Sequence, residues 1–74
     1  MNSSCRASFL ANLRSIHNAG VLHGDIGLHS LFIKDSESDE AIIANFGRAR
    51  VVDTTEDELK AEYQLMCILL DSIP

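Results

Sequence analysis

The chain of 74 residues is 46% hydrophobic and 23% charged, the make-up of one small globular domain or a piece of a larger one, which excludes two domains and argues against a disordered segment. Eleven acidic residues against six basic ones give a net charge of −5, with no basic stripe, so nucleic acid is excluded as a partner. A chain this short buries only about 60% of its unfolded surface, so marginal stability without a partner is expected.

Residues 6–18 place Phe9, Leu10, Leu13, Ile16 and His17 at helical spacing, with Arg6 and Arg14 outside that stripe. Asn2, Ser3 or Ser4 is the expected cap, and Asn18-Ala19-Gly20 the expected stop, since glycine adopts the left-handed C′ conformation without a Cβ clash. Val21-Leu22 then reads as a short strand-like step into the polar loop His23-Gly24-Asp25. Leu31-Phe32-Ile33 and Ala41-Ile42-Ile43-Ala44 flank the acidic stretch from Asp35 to Glu40, which predicts a β-hairpin with a solvated tip.

After Asn45-Phe46-Gly47 the segment Arg48–Asp53 carries no assigned element. Thr55 with Glu58 forms a capping box for a second helix. Its predicted stripe is Leu59, Tyr63, Met66, Leu70 and Ile73, widened by Leu65, Ile68 and Leu69. Core packing is the expected use of that face, and docking on another chain the alternative.

Cys5 and Cys67 lack any CxxC spacing, and no apolar signal core follows the first residues, so free thiols and an intracellular, by default cytoplasmic, location are expected. Cys67, inside the apolar pattern, is expected to be buried. No apolar run approaches the ~18 residues of a membrane-spanning helix.

The chemistry-bearing residues cluster in the loop and around the Asn-Phe-Gly turn. A carboxylate held at Asp25 between apolar strands suits a general base that accepts a proton from a hydroxyl. A hairpin brings its ends together, so Asp25 and Asn45 are expected to face one pocket. A Zn²⁺ reading also exists for His23, Asp25 and His29, with His17 as a further candidate, although the spacing matches no recognised closed site. The plain alternative is a turn in which Asp25 caps amides and His23 is a satisfied core residue.

The run from Ile16 to Asp25, then Ser30-Leu31-Phe32-Ile33, then Ile43 to Ala49, resembles the C-lobe of the protein-kinase-like superfamily over roughly residues 8–50. His-Gly-Asp stands where the family has His-Arg-Asp, and Asn-Phe-Gly where it has Asp-Phe-Gly. The His-Gly-Asp form is similar to aminoglycoside and choline phosphotransferases and to divergent fungal kinase-like proteins. The resemblance implies Asp25 as catalytic base and His23 as the brace of the Asp-Phe-Gly backbone. It puts Ser30 and Asn45 at the two Mg²⁺ positions, both degraded: Asn45 has no charge, and a hydroxyl is a weaker ligand than an amide oxygen. Gly27 stands where protein kinases usually carry a lysine.

ATP and Mg²⁺ are the family's cofactors, and none is expected of this chain alone. None of the four glycines forms a phosphate-cradling loop, and neither Lys34 nor Lys60 sits in a strand of the nucleotide-lobe type. The expectation over residues 1–74 is therefore an α+β partial kinase-like domain, the central C-lobe without an N-lobe: helix, catalytic-loop turn, β-hairpin, helix. Functionally it reads as a pseudokinase or truncated gene product of phosphotransferase ancestry. The alternatives are a segment active only with a complementing nucleotide-binding chain, or an interaction module docking through its apolar C-terminal helix. No membrane partner is expected.

Overall fold

The structure, a computed structural model, describes residues 2–34, 40–53 and 57–73. The hairpin tip at 35–39 and the cap at Thr55 lie outside the described residues. The fold is α+β, with two helices and two small antiparallel sheets in the order α1 (Ser3–Asn18), β1 (Val21–Leu22), β2 (Leu31–Ile33), β3 (Ala41–Ile43), β4 (Arg50–Val51) and α2 (Asp57–Asp71).

Asn2 is the cap of α1: its Oδ1 accepts from the Cys5 amide at 2.7 Å, supplying a partner that the first turn lacks. The helix thus starts three residues before the expected 6. At its other end Gly20 takes φ 79°, which a Cβ would penalise, and its N–H closes on His17 O at 2.9 Å. Cys5, Phe9, Leu13 and His17 recur every fourth residue and are buried, with Leu10 and Ile16 packed at the margins.

β2 and β3 form the expected hairpin, pairing Leu31 with Ile43, Phe32 with Ile42 and Ile33 with Ala41. Side chains alternate, so Ile43 and Ala41 enter the core while Phe32 and Ile42 face outward. The far edge of β3 is closed by α1. Ser8 Oγ accepts from Ala41 N at 3.0 Å, and Asn12 Nδ2 donates to Ala41 O at 2.6 Å. An exposed edge would leave both groups to water or to another chain.

The unassigned segment after Asn45 supplies β4, which pairs Val21 with Val51 and Leu22 with Arg50. Two residues carry too little period-2 pattern to be read as a strand. This pairing encloses the hairpin, so the loop after β1 and the turn before β4 are brought side by side. Val52 N adds a bond to Gly20 O at 2.8 Å.

On α2 the buried row is Leu59, Glu62, Met66 and Leu70, with Tyr63, and Ile73 just past the helix end, partly buried. The expected widening fails at Leu65 and Ile68, which are 49% and 69% exposed, because α1 and the hairpin cover one side of α2 only. Cys67 sits at the margin, half-buried; Cys5 is the buried thiol, and both are free. Met66 and Leu70 meet Cys5, Phe9, Leu13, Ala41 and Ile43 in a single cluster. Arg6 Nε and Asp71 Oδ1, 3.1 Å apart, join the first turn of α1 to the last of α2. Among the described residues no helix is long and apolar enough to cross a membrane.

Candidate functional site

His23 is fully buried and links the loop to the Asn-Phe-Gly turn. Its Nε2 lies 2.6 Å from Ala44 O, while Nδ1 accepts from the Asp25 amide at 3.2 Å. One tautomer satisfies both contacts, with the proton on Nε2. The ring also meets Phe46 edge-on, with centroids 4.7 Å apart. Both ring nitrogens are therefore engaged within the fold.

Asp25 and Asn45 come to the same end of the hairpin, and His29 joins them. Asp25 Oδ2 is 3.1 Å from His29 Nε2, and the Asn45 side-chain amide donates to the His29 carbonyl. Asn45 holds φ 61°, ψ 57°, a left-handed conformation that Asn tolerates better than most residues. Ser30 is turned inward. Its hydroxyl donates to Gly27 O at 2.7 Å and accepts from Gly27 N at 3.1 Å, and the carbonyl of Ser30 accepts from Ala44 N at 2.8 Å.

The donor set is poor for Mg²⁺, a hard cation that favours anionic oxygens in octahedral array. Ser30 Oγ is fully buried in its own turn, and Asn45 brings no charge. Among the described residues no group of three or more His, Cys, Asp or Glu is arranged to hold a metal ion. His17 and His23 point to other partners, which leaves Asp25 and His29 as a pair.

Glu62 organises this end of the protein and was not anticipated. Its Oε1 takes His17 Nε2 at 2.8 Å and the His23 amide at 2.9 Å, and its Oε2 takes the Gly24 amide at 2.8 Å. Burial would raise the carboxyl pKa; the hydrogen bonds from His17, Gly24 and His23, with the His17 charge, outweigh it, and the net shift is downward. A signal was present in the sequence. Glu62 falls on the apolar row of α2 as His17 does on that of α1, and a polar residue on each facing row requires a buried partner.

Gly24, at φ 85°, carries the loop past Arg48: a Cβ there would stand 2.5 Å from the Arg48 carbonyl oxygen. Beside Asp25 an open depression of about 400 Å³ runs to α2, walled by Leu22, Ile26, Ala61 and Leu65, with Glu58 and Glu62 also at its lining. Arg50 pairs with Glu58. The described lining residues include acidic but no basic side chains, so they offer a phosphate no positive charge.

No protein-family model matches the chain, and neither a curated protein nor a solved structure matches it significantly.

Proposed function

We propose that the chain is a C-lobe segment of the protein-kinase-like type, of ATP-dependent phosphotransferase ancestry, that performs no phosphoryl transfer by itself. The observation that carries this reading is the bond from His23 Nε2 to Ala44 O, at 2.6 Å, between the residue two before Asp25 and the residue just before Asn45. The resemblance assigns His23 the brace of the Asp-Phe-Gly backbone, and this contact is of that kind. Convergence of Asp25 and Asn45 on His29 supports it further.

Loss of catalysis follows from the ligand chemistry. Phosphoryl transfer relies on metal ions and cations to neutralise charge spreading over the phosphate oxygens. Here Ser30 is sealed in its turn, Asn45 is neutral, and the depression beside Asp25 is lined by carboxylates.

Thermal denaturation with and without ATP and Mg²⁺ tests the reading. No stabilisation is expected, whereas a ligand present at 100 times its Kd adds about 2.7 kcal/mol. A clear upward shift of Tm would overturn the inactive reading and favour a segment that uses Asp25 as base once a nucleotide-binding chain is supplied.

The interaction-module reading is favoured by Leu65 and Ile68, exposed on α2. Its partner would be a protein that covers this apolar face of α2. Light scattering across a range of concentrations distinguishes the two; mass that stays monomeric throughout removes this second reading.

A further inference from the structure

Gly27 and Asn45 meet His29 at two points, one beneath its ring and one at its carbonyl. The His29 ring lies so close over Gly27 that a Cβ there would stand 2.7 Å from Cε1 and 2.9 Å from Nδ1. Gly27 has an extended backbone, φ −174°, which any residue adopts, so what glycine provides here is room for the ring in this position and not a conformation. On the other side, the Asn45 amide anchors the His29 carbonyl and with it the backbone that carries the ring. Seated in this way, Nε2 meets Asp25 Oδ2 at 3.1 Å.

The main chain beneath the carboxylate is fixed as well, because the Asp25 amide is bound to His23 Nδ1. An exposed ion pair is normally worth little, since ordering two free side chains offsets the attraction. In this case Gly27 leaves the ring its room and Asn45 fixes the backbone beneath it, so less freedom remains to be lost on meeting Asp25.

The geometry points to His29 as a positioning residue that clamps Asp25 as a one-oxygen acceptor. Oδ2 is taken by the imidazole, and Oδ1 is the oxygen left for a ligand. Such a site takes a single hydroxyl or amine donor and disfavours a group that needs both carboxylate oxygens, such as a guanidinium fork. The inference rests on the alternative reading, in which Asp25 serves as base once a nucleotide-binding chain is supplied.

Three-bond Hα–Hβ couplings of Asp25, measured by NMR on the full chain, test it, since they report whether the side chain keeps one rotamer or averages over several. A single-rotamer pattern is expected in the wild type and in His29→Gln, whose amide N–H reaches the same oxygen. Averaging is expected in His29→Ala, and also in Gly27→Ala, where the histidine is intact but its seat is filled. The Phe46 ring shifts produced by His23 confirm that each variant is folded, and Asn45→Ala, which removes the rear anchor, replaces any variant that is not.

Averaged couplings in the wild type, or couplings unchanged in both alanine variants, overturn the clamp. Averaging in His29→Gln overturns the hydrogen-bond mechanism in favour of ring bulk. A fixed Asp25 combined with ATP-dependent stabilisation leaves the clamp standing and sinks the inactive reading, so the two fail separately.

Discussion

His17 Nε2 and Glu62 Oε1 lie 2.8 Å apart inside the protein, although 45 positions separate them in the chain. Through Glu62 the end of α1, the middle of α2 and the amides of His23 and Gly24 share one carboxylate. The loop therefore takes its shape from a residue outside the loop.

Replacing Glu62 with Gln keeps the size but puts an N–H₂ group against an N–H donor. Leaving a buried donor unsatisfied typically costs about 1–3 kcal/mol, a large share of the few kcal/mol that hold a chain of this length. Urea denaturation followed by circular dichroism is expected to show that loss. A change below about 1 kcal/mol would mean that water replaces the carboxylate at no great cost.

The same carboxylate sets an acid dependence. Its folded-state pKa lies below the ordinary value of 4.5, so the unfolded chain binds the extra proton first as the pH falls. The stabilisation is fully present above that ordinary value and is lost as the pH drops through the lower folded value. Denaturation midpoints of the wild type should fall through this window, and those of Glu62→Gln should fall less, so that the gap between them narrows in acid.

The helices and the hairpin were legible because each carries its period over several residues: Phe9 and Leu13 at helical spacing, Leu31–Ile33 and Ala41–Ile43 as apolar runs about a polar stretch. β4 was not, because Arg50-Val51 becomes a strand only through Val21 and Leu22, far away in the chain. Leu65 and Ile68 were misplaced for a related reason: hydropathy gives the apolar width of α2 but not how much of that width a neighbour covers. Asp25, His23, Ser30 and Asn45 were singled out by motif. Glu62 gained its part from tertiary contacts, with its place on the apolar row of α2 as its one sequence signal, whereas Gly27 and His29 gained theirs from the local course of the turn after Asp25.

Ser8 and Asn12 should each matter more than exposed polar residues of a helix usually do. Ser8→Ala and Asn12→Ala each leave one Ala41 backbone group without its partner, at about 1 kcal/mol apiece. Because both act on one residue, the double variant need not equal the sum. Chemical denaturation of the three variants measures this, and losses within error of zero would show that solvent satisfies the edge equally well.

Gly24 and Gly47 make an opposed pair. Gly24→Ala combines a positive φ with a Cβ 2.5 Å from a backbone oxygen, and a cost of roughly 2 kcal/mol or more is expected. Gly47→Ala meets nothing within 4 Å and has no such φ, so it should be neutral or gain up to about 1 kcal/mol by restricting the unfolded chain. Thermal melts of both variants decide; equal effects would contradict the path of the chain past Arg48.

The bridge from Arg6 to Asp71 also governs how the molecule can be handled. It sets the beginning of α1 beside the end of α2, while the Asp25 loop follows the opposite end of α1, about 24 Å away at 1.5 Å per residue over 16 residues. Fluorophores attached near Arg6 or Asp71 therefore emerge from one pole and leave the Asp25 loop at the other free.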